Sequence, residues 1–276
     1  MKRDDGLLLP GGAQRLQVSG RRGGQPVDAH DWVAQEVPVA LEYNGVSHAV
    51  MLATPLDLED FALGFSLSEG ILQGPSQLYG VEQAEGPQGI TLRLQVASAA
   101  FARLKERRRS MAGRTGCGLC GTESLDQVAR ALPLLPPGPV IGRDAVARAM
   151  HELRGLQLLQ QATGAVHAAA WCTAQGEARL LREDVGRHNA LDKLVGAMAL
   201  AGTPAAEGFI AVTSRASFEM VQKTALAGVP LLAAISAATT LAVDVAERAG
   251  LTLAGFTRGD DMLVYSHPAR LVERLK

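Results

Sequence analysis

Residues 209–256 read FIAVTSRASFEMVQKTALAGVPLLAAISAATTLAVDVAERAGLTLAGF. Three short apolar runs stand out: Phe209 to Thr213, Pro230 to Ile235, and Thr252 to Phe256. Between them lie two segments with helical spacing, Phe218 to Ala227 and Leu241 to Ala249. Strands that are apolar throughout are covered on both faces, and strands alternating with helices build a parallel sheet. The pattern continues upstream. A helix is predicted over Asp144 to Gln161, then strands over Val166 to Thr173 and Ala178 to Arg182. Another helix begins near Arg187, with Leu191, Leu194, Val195 and Met198 on one face. Residues 126–276 therefore read as an α/β unit with helices on both sides of a sheet.

The region before it has a different texture. Val39, Leu41 and Tyr43 alternate, Asn44-Gly45 supplies a turn needing positive φ, and Val46, His48 and Val50 alternate back. Asp57 is a candidate N-cap for a helix carrying Leu58, Phe61, Ala62 and Phe65 on one face. Strand-like runs follow at Tyr79 to Gln83 and Ile90 to Val96, then a basic helical segment from Ala99 to Ser110. Residues 31–125 thus read as a small α+β domain ending in a Gly-rich stretch. Residues 1–30, rich in Gly, Arg and Pro without period, read as a loosely ordered lead-in.

The chain has 276 residues, 47% of them hydrophobic and 20% charged, a mixture that excludes a disordered chain. Its formal charge of −1 gives no global attraction to nucleic acid or to an anionic membrane. No run is long and apolar enough for a membrane span or a secretory signal, so a cytoplasmic location is expected. Three cysteines in a reducing compartment point to catalysis or metal binding rather than a structural disulfide.

Cys117-Gly-Leu-Cys120, flanked by Gly116 and Gly121, is the most chemically suggestive motif. A zinc site would need two further ligands from Cys172, His167 or His188. A redox pair would normally open a helix after a strand, and the residues before this one are basic and Gly-rich. A mobile nucleophilic thiol fits the glycines, and Arg107, Arg108, Arg109 and Arg114 favour its thiolate. Two unreactive cysteines in a turn complete the alternatives. Spacing alone leaves the choice open.

Longer blocks narrow it. They are Arg114-Thr-Gly-Cys-Gly-Leu-Cys-Gly-Thr, Thr163-Gly-Ala-Val-His-Ala-Ala, Arg182-Glu-Asp-Val-Gly-Arg-His-Asn-Ala-Leu-Asp-Lys, Ser214-Arg-Ala-Ser-Phe-Glu-Met-Val-Gln-Lys and Phe256-Thr-Arg-Gly-Asp-Asp. In this order they resemble the FdhD family, sulfur carriers needed for formate dehydrogenase activity. The resemblance implies a sulfurtransferase working by persulfide relay. A cysteine desulfurase hands sulfur to the paired-cysteine loop, and the carrier passes it to the bis-molybdopterin guanine dinucleotide cofactor. Cys117 matches the persulfide-bearing cysteine and Cys120 its partner. Phe256, Thr257, Arg258, Gly259, Asp260 and Asp261 match the stretch associated with the cofactor, for which GDP is a mimic. The resemblance also implies a homodimer and a second domain similar in fold to cytidine deaminases. One departure is visible: Ala238 stands where a proline is expected, which touches only local geometry.

Deaminase chemistry itself is excluded by the residues. It needs His-x-Glu followed by Pro-Cys-x-x-Cys, and here Ala169 stands two after His167 while the cysteine pair lies upstream. Three loops follow predicted strands, at Ser214 to Ser217, Ser236 to Thr240 and Thr257 to Asp261. In such sheets ligands bind beyond the strands' carboxyl ends. Ser217 and Thr240 are candidate helix caps, and Arg215 and Arg258 add charge suited to phosphate oxygens. Together these loops point to a dinucleotide site. His188, beside Asp184, Arg187 and Asn189, reads as a capping cluster that orders a turn, or as a cofactor-facing group. His167 reads as a core or pocket-wall histidine, Cys172 as a buried small hydrophobe, and no metal site is expected. Two other classes remain: a chaperone that holds the molybdenum cofactor without thiol chemistry, and a redox enzyme with a reversible Cys117–Cys120 disulfide.

Overall fold

The computed structural model describes residues 11–112, 132–259 and 261–274, with the side chains of 107–112 left aside. The domain junction expected near residue 125 lies outside the described residues, as do Cys117, Cys120 and Asp260.

The chain opens with β1 (Ala13–Arg22) and β2 (Gln25–Ala34), paired antiparallel over ten residue pairs around Gly23-Gly24. This corrects the expected lead-in over residues 1–30: from Ala13 onward it is a hairpin. Both faces of the ribbon are largely exposed, so the apolar alternation that betrays a strand is missing.

A four-stranded sheet follows, in the order β4-β3-β6-β5: β3 (Val37–Tyr43), β4 (Val46–Ala53), β5 (Leu78–Gly86) and β6 (Gly89–Val96). The β3–β4 turn has Asn44 and Gly45 at φ 45° and 82°, as the dipeptide predicts. Helices α1 (Leu58–Ser68) and α2 (Ser98–Ala112) complete this unit. Its core gathers Val39, Leu41 and Tyr43 from the hairpin, Leu92 and Leu94 from β6, Phe61 and Phe65 from α1, and Leu104 from α2. Asp57 takes the N-cap position of α1, but at φ 51° and without a capping bond; its carboxylate lies 3.7 Å from Arg182 instead.

The second sheet has six strands in the order β9-β8-β10-β11-β12-β13. They are β8 (His167–Thr173), β9 (Ala178–Asp184), β10 (Gly208–Val212), β11 (Leu231–Ala234), β12 (Thr252–Arg258) and β13 (Asp261–Ser266). Only β10, β11 and β12 run parallel. The expectation of a parallel sheet is thus corrected to a mixed one, with β8 antiparallel to both β9 and β10, and β13 antiparallel to β12. The physical reason is the connections. Short turns join β8 to β9 and β12 to β13, whereas helices α6 (Phe218–Leu226) and α7 (Thr240–Ala249) provide crossovers within the parallel set.

Alternate residues of each strand enter opposite cores. Ala170, Cys172, Phe209, Ala211, Leu231, Ala233 and Ala254 pack with α3 (Arg143–Leu156). Ala169, Trp171, Ile210, Val212, Leu232, Ala234 and Leu253 pack with α5 (Arg187–Leu200), α6 and α7. The result is three layers. A short pair of two-residue strands, β7 (Ile141–Gly142) and β14 (Leu271–Val272), closes the α3 side. Among the described residues no helix is long and apolar enough to cross a membrane.

The predicted helix over 144–161 is broken in two. It stops at Leu156, and α4 (Leu158–Thr163) starts again after Gln157, whose ψ is 78°. The buried carboxylate of Glu183 makes the break tolerable by accepting the Leu159 and Gln160 N–H groups, each at 2.9 Å. Burial holds that carboxyl above the ordinary value for a glutamate.

The two units meet through α1 and α5. Gly64 and Gly196 let the helix backbones touch: a Cβ on Gly64 would collide with the Asp192 carbonyl oxygen, and one on Gly196 with that of Asp60. Arg182 of β9 adds a 2.7 Å ion pair to Asp60 of α1.

Candidate functional site

Five strand ends share one edge of the six-stranded sheet. The start of β8 and the end of β9 meet at His167–Asp184, beside the carboxyl ends of β10, β11 and β12. Every motif singled out beyond residue 163 has residues at this edge.

The β12–β13 hairpin is shaped by a bulge between Gly255 and Arg258. Phe256 sits at φ 52° with 40% of its surface exposed, and its N–H donates to Ser236 O at 3.2 Å. A bulky residue in the left-handed region costs about 1–3 kcal/mol and persists only where its surroundings enforce it. Here they do. Thr257 is buried and donates to Ala234 O at 2.8 Å, while Arg258 Nε donates to Ile235 O at 3.2 Å. Gly259 follows at φ 60°, and Arg258 pairs in register with Asp261. Five of the six residues in the expected cofactor stretch, all but Asp260, are described at this edge.

The neighbouring loops are tied to each other. Ala216 N–H donates to Ala237 O and Thr239 N–H to Ala216 O, both at 3.1 Å. These bonds pin the loop where Ala238 replaces the expected proline. Arg215, between Ser214 and Ala216, is exposed. The helix caps differ from expectation. Thr239, not Thr240, caps α7 through Ala242 N–H, and Ser217 stands before α6 without a capping bond.

The Asp184-to-Lys193 block is a clamp. Lys193 Nζ lies 2.7 Å from Asp184 Oδ2 and donates to Thr54 O at 2.9 Å, with both charged side chains fully buried. Asp184 also accepts N–H groups from Thr54, Gly186 and the Asn189 amide, at 2.8–3.0 Å. Asn189 reaches on to Leu52 O. The cluster thus ties the end of β4 to the start of α5 and fixes the turn that presents Arg187 and His188. Thr54 carried no signal in the sequence, because its partners Asp184 and Lys193 lie 130 and 139 residues away.

His188 Nε2 lies 2.8 Å from Glu219 Oε2 and 3.5 Å from Ser217 Oγ. The bond from His188 holds the Glu219 carboxyl below its usual range. His167 is half-buried, and burial, with Arg187 and His188 nearby, pushes its pKa below 6.5. The unfolded chain therefore binds a proton at His167 before the folded one does. Below about pH 6.5 this erodes stability as the pH falls, until the folded value is reached. A His167→Gln variant is expected to show a flatter dependence of unfolding free energy on pH across that window, read by denaturant titration.

Cys172 is buried between the sheet and α3, and burial pushes its thiol up to about 12. It offers neither a metal ligand nor a nucleophile. Among the described residues no group of three or more His, Cys, Asp or Glu side chains is placed to hold a metal ion.

Next to the hairpin opens a cleft of about 530 Å³. Met150, Arg154, Gln157 and Gln160 line it from α3 and α4; Gly164 to His167, Thr213 and Ile235 line it from the sheet edge. The unbroken helix predicted over 144–161 gave no hint of it.

The FdhD/NarQ family profile matches residues 34–272. The chain belongs to the FdhD/NarQ family. It is 70% identical to the "Sulfur carrier protein FdhD" of Variovorax paradoxus, over 98% of each chain. It is 58% identical to the protein of the same name from Cupriavidus necator, over 92% of this chain and 88% of that one. A crystal structure described as a putative formate dehydrogenase accessory protein from Desulfotalea psychrophila superposes with a TM-score of 0.74. It covers 94% of this chain and 99% of its own at 23% identity, a likeness of fold.

Proposed function

We propose that this FdhD/NarQ member is a sulfurtransferase that carries sulfur as a persulfide, from a cysteine desulfurase to the bis-molybdopterin guanine dinucleotide cofactor of formate dehydrogenase. The Cys117 thiolate attacks the outer sulfur of the donor persulfide. A Cys117 persulfide forms and the donor cysteine leaves as its thiolate, with no net oxidation. Cys120 assists transfer or release. The cofactor is cargo, its guanine nucleotide lying across the strand ends with Phe256 to Asp261 and Arg215 among its contacts. The carrier works in the cytoplasm as a homodimer.

The observation that carries the cofactor part is the hairpin geometry. An exposed aromatic is held in a strained backbone conformation two residues before Arg258, at the strand ends where such sheets receive nucleotides. Both curated relatives named above are called sulfur carriers, which supports the sulfur part.

GDP tests the nucleotide site. At millimolar concentration it is expected to raise the melting temperature, and Arg258→Ala or Phe256→Ala to remove most of the rise. A melting temperature indifferent to GDP in the unaltered chain contradicts the site.

A further inference from the structure

Strand β13 ends the six-stranded sheet, and among the described residues its backbone bonds only to β12. The outer row of N–H and C=O groups on such a strand is a template for pairing, which folded chains blunt with charge, proline or a covering element. The opposite edge of this sheet follows that rule: β9 carries Arg179, Arg182, Glu183 and Asp184. Strand β13 reads Asp-Met-Leu-Val-Tyr-Ser, with no Lys, Arg or Pro and a charge only at its first residue.

The side chains of β13 divide between the two faces, with one exception. Met262 and Val264 pack towards the core under α3, and Tyr265 packs towards the core on the other side. Leu263 stays 55% exposed. Its cross-strand neighbour on β12 is Gly255, which has no side chain to set beside it. None could be put there, because a Cβ on Gly255 would strike the Ser236 carbonyl oxygen and the Tyr265 ring. Leu263 therefore lacks the contact that a paired strand normally supplies from within the sheet. An uncharged free edge carrying an uncovered leucine is what strand addition by a partner uses: the backbone gives affinity and the side chain gives register.

The position of this edge selects the partner. Asp261 opens β13 and closes the hairpin that holds Phe256 and Arg258, so cargo site and free edge are continuous. A protein that takes cargo from the hairpin must come within the length of this strand, about 20 Å for six residues. Asp261 is exposed, and among the described residues its carboxylate has no ion-pair partner. A second copy of β13 brings no cation to it, because the strand has none. A parallel copy would set carboxylate beside carboxylate.

We propose that β13 is the docking edge for the enzyme that receives the cofactor. An extended apolar segment of that enzyme adds to the sheet as a seventh strand, packs on Leu263 and sets a Lys or Arg beside Asp261. The assignment rests on the cofactor-carrier reading and gives it a delivery surface.

The test is binding of formate dehydrogenase, purified free of its cofactor, to the full chain by biolayer interferometry. Leu263→Lys, Leu263→Ala and Val50→Lys are measured alongside. Val50 is 57% exposed on β4 of the other unit, so it controls for a general effect of added charge. The GDP-induced rise in melting temperature and the loading of sulfur on Cys117 are recorded for each protein. Leu263→Lys is expected to weaken enzyme binding by about tenfold or more, and Leu263→Ala less. Val50→Lys is expected to bind normally, and all variants to keep the GDP response and sulfur loading. If both Leu263 variants bind the enzyme as tightly as the unaltered chain, the docking edge is overturned and the carrier reading stands. Sedimentation showing that Leu263→Lys splits a dimer also overturns it, by giving the edge to a second copy. An unaltered chain that binds no cofactor-free enzyme overturns it too, while the GDP and sulfur measurements judge the carrier reading separately.

Discussion

Gly196→Ala is expected to destabilise the chain by more than about 4 kcal/mol, although alanine is the better helix former. In an exposed helix interior the exchange would stabilise by about 1 kcal/mol. At Gly196 the new methyl lands on the Asp60 carbonyl oxygen, and at Gly64 it would land on that of Asp192. Both obstacles are helix backbone, which cannot turn aside as a side chain can. Helices α1 and α5 would have to separate, and with them the Arg182–Asp60 pair between the two units. Gly155→Ala is the control. It also lies in a helix, its Cβ would meet nothing within 4 Å, and a small gain in stability is expected there. Urea unfolding of the three proteins measures the contrast. Equal stabilisation at Gly155 and Gly196 would show that the helices do not touch.

Lys193→Met is expected to cost about 3–5 kcal/mol, because it strands a buried carboxylate. Asp184 and Lys193 are both fully buried, and their contact at 2.7 Å is the centre of the clamp on Thr54. Removing the cation leaves Asp184 with only the Thr54, Gly186 and Asn189 donors. Adding Asp184→Asn to Lys193→Met is expected to restore part of the loss, since the uncompensated charge is then gone. Because Asp184 also fixes the turn before His188, the single variant is expected to weaken GDP binding as well as stability. A double variant less stable than Lys193→Met would mean that Asp184 gains little from its cation.

Much of the second unit was legible from local pattern. Phe209–Val212, Leu231–Ala234 and Thr252–Phe256 announce themselves as buried strands because both faces of the sheet are covered, so no alternation interrupts them. Strand direction was less legible. Nothing within Val166 to Thr173 marks it as antiparallel; that follows from the turn after it. The ribbon from Ala13 to Ala34 was missed because it is exposed on both faces, and the break at Gln157 because its cap comes from Glu183, far along the chain. The site follows the same rule. The loops at Ser214 to Ser217 and Thr257 to Asp261 stand out in the sequence as short polar stretches after strands, and the family resemblance marks Phe256 to Asp261 as the expected cofactor stretch. Arg154, Gln157 and Gln160 look like an ordinary helix face until the fold turns them into a cleft wall.

The central claim is that Cys117 carries sulfur. Its most direct test is intact-mass spectrometry of the chain after incubation with a cysteine desulfurase and cysteine, followed by alkylation and peptide mapping. One added sulfur atom on the Cys117 peptide, removed by reductant and absent from Cys117→Ala, is the predicted result. Unmodified Cys117 and Cys120 thiols beside a demonstrably active desulfurase would contradict it, and would leave a cofactor-holding chaperone as the better account of the same strand-edge site.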